Sequence, residues 1–570
     1  MQVKPLLQSV LPANFLEDYL YACGVEDVDS YLDEDADCLD NPMDYPNMKL
    51  ACEIVREGVK SGKKFGILAD CDGDGYFSAT ICYDFLKTYL NIIPVMFFHT
   101  AKQHGLTQSK EEDIVQQVID SGVDILIMPD AGTGDAEQSR TLLENGITTI
   151  VLDHHPIDPK NNKAIIVNHN LGTGLNTALS GTGVAYKFCR AYYQLYLGDW
   201  NRDIGFVKYR DLVAVSLISD VCDLRTNENH KYLEWGIMAL ENKNSATNPM
   251  LQLMAEKLNN KNKIYIIERY SFGVIPPINS LCRGNNQEDK ELFFRALVGE
   301  ATPEEGLKVA RAAHNYQTKT VKTMVEEIAP TLDNSHKAIV GFTDAGYKSY
   351  IGLAANKFMS KENKPTILLR ELNSTTWSGS LRSPIPLSSE INKTKLAVCQ
   401  GHPGAAGVTV KKSNLKRLIN WLDTLNLEVK PIVTVAAQLS PKQITTKLCK
   451  QCVDNTIYYS CSGGAGVTIP QFYVKCTINK DDIAIFEKKT TTIKITKDGV
   501  SFLKFFATPN DVEQLQKYNR FIIEMIVKLN VNEWNGTVYP QGEIVDFEVT
   551  NGSDFIASSD KNDSDWELDF

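Results

Sequence analysis

Four groups of acidic and imidazole side chains along this chain could do chemistry together. Asp70, Asp72 and Asp74 occupy alternate positions in Phe65-Gly-Ile-Leu-Ala-Asp70-Cys-Asp72-Gly-Asp74-Gly75, where an apolar run of strand length ends among glycines. Asp130 stands in Met128-Pro-Asp130-Ala-Gly132-Thr-Gly134-Asp135, and Asp153-His154-His155 follows the apolar Val151-Leu152. Asp220 ends the run Leu212-Val-Ala-Val-Ser-Leu-Ile-Ser219. Carboxylates about 4 Å apart repel by roughly 4 kcal/mol per pair at an effective dielectric near 20. Oxygen-rich clusters of this kind suit hard divalent cations such as Mg²⁺ or Mn²⁺. Taken singly, each aspartate is as well explained by a turn or a helix cap. Adjacent histidines after a strand are rarer, since both cannot point into a core.

The elements that must position these groups follow from periodicity. Leu50, Ile54, Val55 and Val59 predict an amphipathic helix over 48–60, and residues 78–90, 111–120 and 136–143 predict further helices. Between them, 65–69, 92–98, 123–128 and 147–152 predict strands. Alternation of strand and helix implies βαβ units and a mostly parallel sheet. Such sheets bind ligands beyond the carboxyl ends of their strands, where three of the four groups fall.

A chain of 570 residues is too long for one core, and 43% hydrophobic with 23% charged residues is ordinary globular composition. No apolar run approaches the roughly 20 residues of a membrane span. The first residues lack a secretory pattern, and thirteen cysteines without a framework point to a reducing, cytoplasmic setting. Cys449 and Cys452 are spaced as half a zinc site or as ordinary thiols. A net charge of −12 excludes a protein coated in basic charge, but not a local basic groove that holds a polyanion.

The four groups together resemble the motifs of the DHH phosphoesterases, and within them the RecJ single-strand exonucleases. GILADCDGDG, MPDAGTGDAEQ, VLDHHP and DLVAVSLISDVCDL are similar to the family's first four motifs. Gly273-Val-Ile-Pro-Pro-Ile-Asn279-Ser-Leu-Cys-Arg283-Gly284 resembles the segment before its second domain. Ser378-Gly-Ser380-Leu-Arg382-Ser383 and Gly401-His402-Pro-Gly404-Ala-Ala-Gly407 resemble the signatures of the DHH-associated domain. Order and spacing hold over about residues 45–410, with two departures. Ala131 stands where asparagine is usual, and Gln400-Gly401-His402 replaces Gly-Gly-His.

The resemblance implies an α/β fold: a mostly parallel DHH domain (48–240), a helical connection (241–290), a smaller α/β DHH-associated domain (291–412) and a C-terminal OB-like β-barrel (413–550). A helical and acidic segment (1–47), with a solvated connector over Asp27–Asp40, precedes them, and an acidic tail (551–570) follows. It further implies a two-metal phosphodiesterase using Mn²⁺ or Mg²⁺. Asp70, Asp72 and Asp130 would hold one ion; Asp74, Asp130, His154 and Asp220 would hold the other. His155 would contact the scissile phosphate and Asp153 would orient a neighbouring histidine, while Arg283, Ser380, Arg382, Gly401 and His402 would grip the nucleotide. The implied activity is 5′→3′ hydrolysis of single-stranded DNA in repair, recombination or replication, by a monomer.

Two rivals stand beside it. An oligonucleotide or cyclic-dinucleotide phosphodiesterase would not need the β-rich region after residue 413. An inactive replication scaffold would have lost carboxylates that this chain keeps. In the β-rich region, Phe502, Phe505, Phe506 and Trp534 are either base-stacking platforms or core. Lys411, Lys412, Lys416 and Arg417 are either a phosphate-tracking patch or a solvated helix face. The tail, with Trp566 and Phe570, is either a solubilising segment or a docking peptide for a protein partner.

Overall fold

The computed structural model describes residues 1–10, 14–33, 38–100, 103–108, 112–205, 207–258, 266–332, 335–343, 349–425, 432–453, 466–487 and 490–550. After a short strand β1 (Val3–Pro5), the strands β2 (Phe65–Ala69), β3 (Val95–Phe98), β4 (Ile125–Pro129), β5 (Thr148–Leu152) and β6 (Ile165–Val167) form a wholly parallel sheet. Its order is β3-β2-β4-β5-β6. Strand side chains alternate between two cores. Phe65, Ile67, Ile125, Ile127, Ile150 and Leu152 pack with helices 48–60, 73–90, 181–196 and 210–219, whereas Leu68, Leu126, Met128 and Val151 pack with helices 114–120 and 136–144. Burial on both faces explains why these strands read as continuous apolar runs.

The helix expected from residue 78 begins instead at Gly73, because the Asp72 carboxylate caps it and accepts from the Gly75 N–H at 3.3 Å. Asp74 therefore lies in the first helical turn rather than in a loop, beside the N–H groups that favour a negative charge. Strand β3 starts only at Val95, after Pro94, which has no N–H to give a ladder.

Helices 249–258, 275–282 and 287–297 pack into the first core through Met250, Leu251, Ile278, Phe293 and Phe294. The long helix Pro303–Ile328, with a Thr302/Glu305 capping box, leads to the second sheet. This comprises β7 (Ile339–Phe342), β8 (Thr366–Asn373), β9 (Thr376–Arg382), β10 (Ala397–His402) and β11 (Ala405–Lys411) in order β10-β11-β9-β8-β7. Helix 415–424 belongs to it, since Leu418 and Leu422 fill the same core.

The last sheet follows a short strand β12 (Val433–Val435). It contains β13 (Ala437–Leu439), β14 (Gln471–Asn479), β15 (Ile483–Glu487), β16 (Thr491–Lys497), β17 (Val500–Lys504), β18 (Arg520–Trp534) and β19 (Thr537–Thr550). Its order is β13-β14-β18-β19-β17-β16-β15, and among the described residues β13 and β15 do not pair to close a barrel. Strands β18 and β19 form one long antiparallel hairpin. Asn535 and Gly536, with φ of 50° and 76°, make its turn, and a bulge at Ile526/Val527 absorbs the register shift.

The first thirty residues join this C-terminal unit. Strand β1 pairs in parallel with β12, and Phe15, Tyr19 and Leu20 enter the core of Phe472, Ile523 and Phe547. Nor is Asp27–Asp40 simply solvated. Tyr31 is buried and stacks on His230 at 3.9 Å, and Lys187 Nζ donates to the Asp40 carbonyl at 2.8 Å. Among the described residues no helix is long and apolar enough to cross a membrane. The tail with Trp566 and Phe570 lies outside the described residues.

Candidate metal centre

Four chain segments converge at the carboxyl edge of the parallel sheet. Asp70 follows β2 and Asp130 follows β4, held by its N–H to the Leu152 carbonyl at 2.8 Å and by a left-handed backbone, φ 66°. Asp153 follows β5. Its carboxylate accepts from Thr133 N (3.1 Å), His154 N (2.7 Å), His155 N (3.2 Å) and His155 Nδ1 (2.8 Å), so the histidine that it orients is His155. Asp220 ends helix 210–219. Asp74 is seated on the N-terminus of helix 181–196, accepting from Gly181 N (2.9 Å), Thr182 N (2.8 Å) and Thr182 Oγ1 (2.5 Å). That end carries partial positive charge, which suits an anion.

His154 Nε2 lies 3.2 Å from Asp130 Oδ1, 3.7 Å from Asp220 Oδ2 and 3.9 Å from Asp74 Oδ2. Donor atoms close enough to share a cation occur in Asp70/Asp72/Asp130, in Asp74/His154/Asp220 and in Asp130/Asp153/His154/His155. Asp130 Oδ1 and His154 Nε2 are buried with no hydrogen-bond partner. Unsatisfied buried polar atoms are costly, and here they aim into one space. Burial pushes the Asp130 carboxyl well above its ordinary range, with the charges of Asp74, Asp72 and Asp70 adding to it. Burial and Asp70 raise Asp72, and burial with Asp74 raises Asp220 to about 6 against the opposing pull of His154. The residues fit divalent cations, which would satisfy the orphaned atoms and relieve the repulsion.

The sign of a pH effect follows. Groups whose folded-state affinity for protons is raised support folding at low pH and lose that support as pH climbs. For Asp220 the loss spans roughly the ordinary carboxylate range up to about 6. In EDTA the melting temperature should fall between about pH 4 and about pH 6, more steeply than in Asp220→Asn. Mn²⁺ should restore more at the higher pH, since it must displace fewer protons there. Equal slopes for the two proteins in thermal melts would refute the linkage.

The expected nucleotide-gripping residues divide into two sets. Arg283, at the end of helix 275–282, lies beside the aspartates, its Nη2 3.4 Å from Asp72 Oδ2. Ser380 and Arg382 on β9 and Gly401 and His402 on β10 flank β11 in the second sheet, Arg382 and His402 both opposite Ala405. Arg382 Nη1 donates to Ser380 Oγ and to the Leu381 carbonyl, each at 2.7 Å, while His402 is exposed.

Several contributors were not anticipated. His104 Nδ1 lies 2.8 Å from Asp70 Oδ2, the Gly73 N–H donates to Asn279 Oδ1 at 3.1 Å, and Asn168 and Asn170 hold the carbonyls of His155 and His154 at 2.9 Å. The run Ser180-Gly-Thr182-Gly, a cap opening a helix, was the readable sign of the Asp74 cradle. Elsewhere, Lys412 pairs with Glu371 at 2.6 Å and lies over Trp377, whereas Lys411, Lys416 and Arg417 stand on the surface. Cys449 and Cys452 are buried in the C-terminal core, and no metal-binding group among the described residues includes them.

Residues 64–215 match the DHH family, N-terminal domain. The chain is 26% identical to a protein of Bacillus subtilis (strain 168) provisionally named as an SPbeta prophage-derived single-strand DNA-specific exonuclease, YorK, over 92% of this chain and 94% of that protein. It is 24% identical to the single-stranded-DNA-specific exonuclease RecJ of Thermus thermophilus over 64% of this chain and 52% of that one. The crystal structure of RecJ from Thermus thermophilus in complex with Mn²⁺ superposes with a TM-score of 0.73 at 20% identity, covering 97% of this chain and 79% of that chain. That likeness gives the same fold.

Proposed function

We propose that this protein, whose residues 64–215 match the DHH family N-terminal domain, is a divalent-metal-dependent exonuclease that hydrolyses single-stranded DNA from its 5′ end. The convergence of His154 Nε2 on Asp74, Asp130 and Asp220, with Asp70 and Asp72 alongside, carries the reading. The direction rests on the likeness to RecJ, as does a role in repair or recombination. We assign Asp70, Asp72 and Asp130 to one Mn²⁺ or Mg²⁺ ion and Asp74, Asp130, His154 and Asp220 to the other. When bound, such a pair polarises the phosphoryl oxygen, lowers the pKa of water and stabilises the leaving oxygen.

The chain's own residues do the rest. Asp153 pins His155 through Nδ1, which leaves Nε2 free to face a scissile phosphate. The N–H groups of Gly181 and Thr182 hold Asp74 ready without reorganisation. Arg283 supplies a guanidinium fork at the aspartates, and Ser380, Arg382, Gly401 and His402 grip the following phosphates from the second sheet. Phe505, Phe506 and Trp534 expose their rings and suit unpaired bases, whereas Phe502 is core.

Trp534→Ala should weaken binding of a long single strand by about 1–3 kcal/mol, roughly 5- to 150-fold, and leave dinucleotide hydrolysis unchanged. Unaltered strand affinity in fluorescence anisotropy would remove the ring from the binding surface. The function itself is tested by digesting 5′- and 3′-labelled strands with Mn²⁺ beside a dinucleotide. Early release of the 5′ label is expected; preference for the dinucleotide would favour an oligonucleotide phosphodiesterase. We further place the working form in the cytoplasm as a monomer, on its cysteine usage and family likeness. On its composition, the acidic tail with Trp566 and Phe570 serves either as a solubilising segment or as a docking peptide for a protein partner.

A further inference from the structure

We propose that His104 is a positioning residue that sets the orientation of the Asp70 carboxylate for cation binding. The inference rests on the reading of Asp70 as a ligand. Asp70 is almost wholly buried, and both of its oxygens are held by one segment of chain. His104 Nδ1 lies 2.8 Å from Oδ2, and the neighbouring Gly105 N–H donates to Oδ1 at 3.0 Å. His99 does not share this role. Its Nε2 is 3.7 Å from Asp70 Oδ1, beyond hydrogen-bond length, and its Nδ1 is occupied by Glu112 at 2.8 Å.

The segment that presents His104 is itself fastened on either side. Cys71 Sγ donates to the Gln103 carbonyl, and the Leu106 N–H donates to Asp135 Oδ2 at 2.7 Å. Gly105 has a left-handed φ of 66°, and a Cβ there would run into the Asp135 carboxylate, 3.1 Å from its Cγ. Only glycine lets the chain pass so close, which delivers His104 to Asp70 from 34 residues away. On its other side the His104 ring stands edge-on to His155, with centroids 4.6 Å apart, so one imidazole braces both a metal-side carboxylate and the phosphate-facing histidine. Groups hydrogen-bonded to a ligating carboxylate commonly change metal affinity by about 10- to 100-fold when removed.

The test is calorimetric titration of the full chain with Mn²⁺, comparing His104→Ala, His104→Asn and Asp70→Asn. Asparagine keeps an N–H donor where Nδ1 stands and loses the rest of the ring. One class of Mn²⁺ site should weaken by about 10- to 100-fold in His104→Ala and stay within about threefold of the parent in His104→Asn. Half of the His104 side chain is exposed, so neither change opens a core cavity, and melting in EDTA verifies the fold. Unchanged Mn²⁺ affinity in His104→Ala, with Asp70→Asn impaired, overturns the inference alone. Equal weakening in the alanine and asparagine variants also overturns it. Unchanged affinity in Asp70→Asn overturns the ligand assignment on which the inference stands.

Discussion

Asp130→Asn should abolish hydrolysis of a single strand, lowering the rate by at least about a thousand-fold, while the folded protein survives. Asp130 is the carboxylate assigned to both cations, so its loss would take one prospective ligand from each. Metal stabilisation of the transition state is worth several kcal/mol, and about 4 kcal/mol already corresponds to a thousand-fold. Asparagine is the informative substitution because Asp130 has a φ of 66°, a region that asparagine tolerates and alanine does not. Without metal the change should leave the melting temperature unaltered or raise it at about pH 8. The native carboxylate is buried among like charges, and the amide cannot carry one. Retention of more than about a tenth of the Mn²⁺-supported activity would refute the bridging role.

The second large effect is Gly181→Ala. In the interior of most helices alanine is preferred to glycine by about 1 kcal/mol. Here the added Cβ would strike Asp130, approaching its Cβ to 2.6 Å and its Cα to 2.7 Å, and would press on Oδ1. The helix cannot retreat without breaking the Gly181 N–H bond to Asp74, now 2.9 Å. Overpacking of this kind costs about 1–3 kcal/mol, which outweighs the helix preference and reverses the sign. Both metal binding and hydrolysis should fail, since the clash falls on the shared ligand and its neighbour. Gly134→Ala is the control, because nothing lies within 4 Å of a Cβ there. A Gly181→Ala protein that melts like the parent and stays active would mean that the helix and Asp130 are not in this close approach.

The parallel sheet was legible because period and burial agree. Phe65–Ala69 and Ile125–Pro129 are apolar throughout, and only strands covered on both faces have reason to be. Asp72 was harder, since the same residue serves as turn former or helix cap. Its capping of Gly75 decided where the helix begins. Phe502 and Phe506 look alike in sequence, yet one is core and the other exposed. The difference comes from the end of β17 at Lys504 and the left-handed backbone at Phe506.

Residue type and periodicity give the stock of reactive groups and the sheet that carries them. Aspartates and histidines that follow apolar strands announce themselves by residue type, and strand topology sends them to one edge. What holds those groups in place emerges only when the chain is folded. His104 reaches Asp70 across 34 residues, Thr182 reaches Asp74 across 108 and Asn279 reaches the Gly73 N–H across 206. Folding likewise carries β1 to β12 at the far end of the chain. The physical reason is that a hydrogen bond depends on separation in space, and long-range separations come from packing the whole chain rather than from any local pattern.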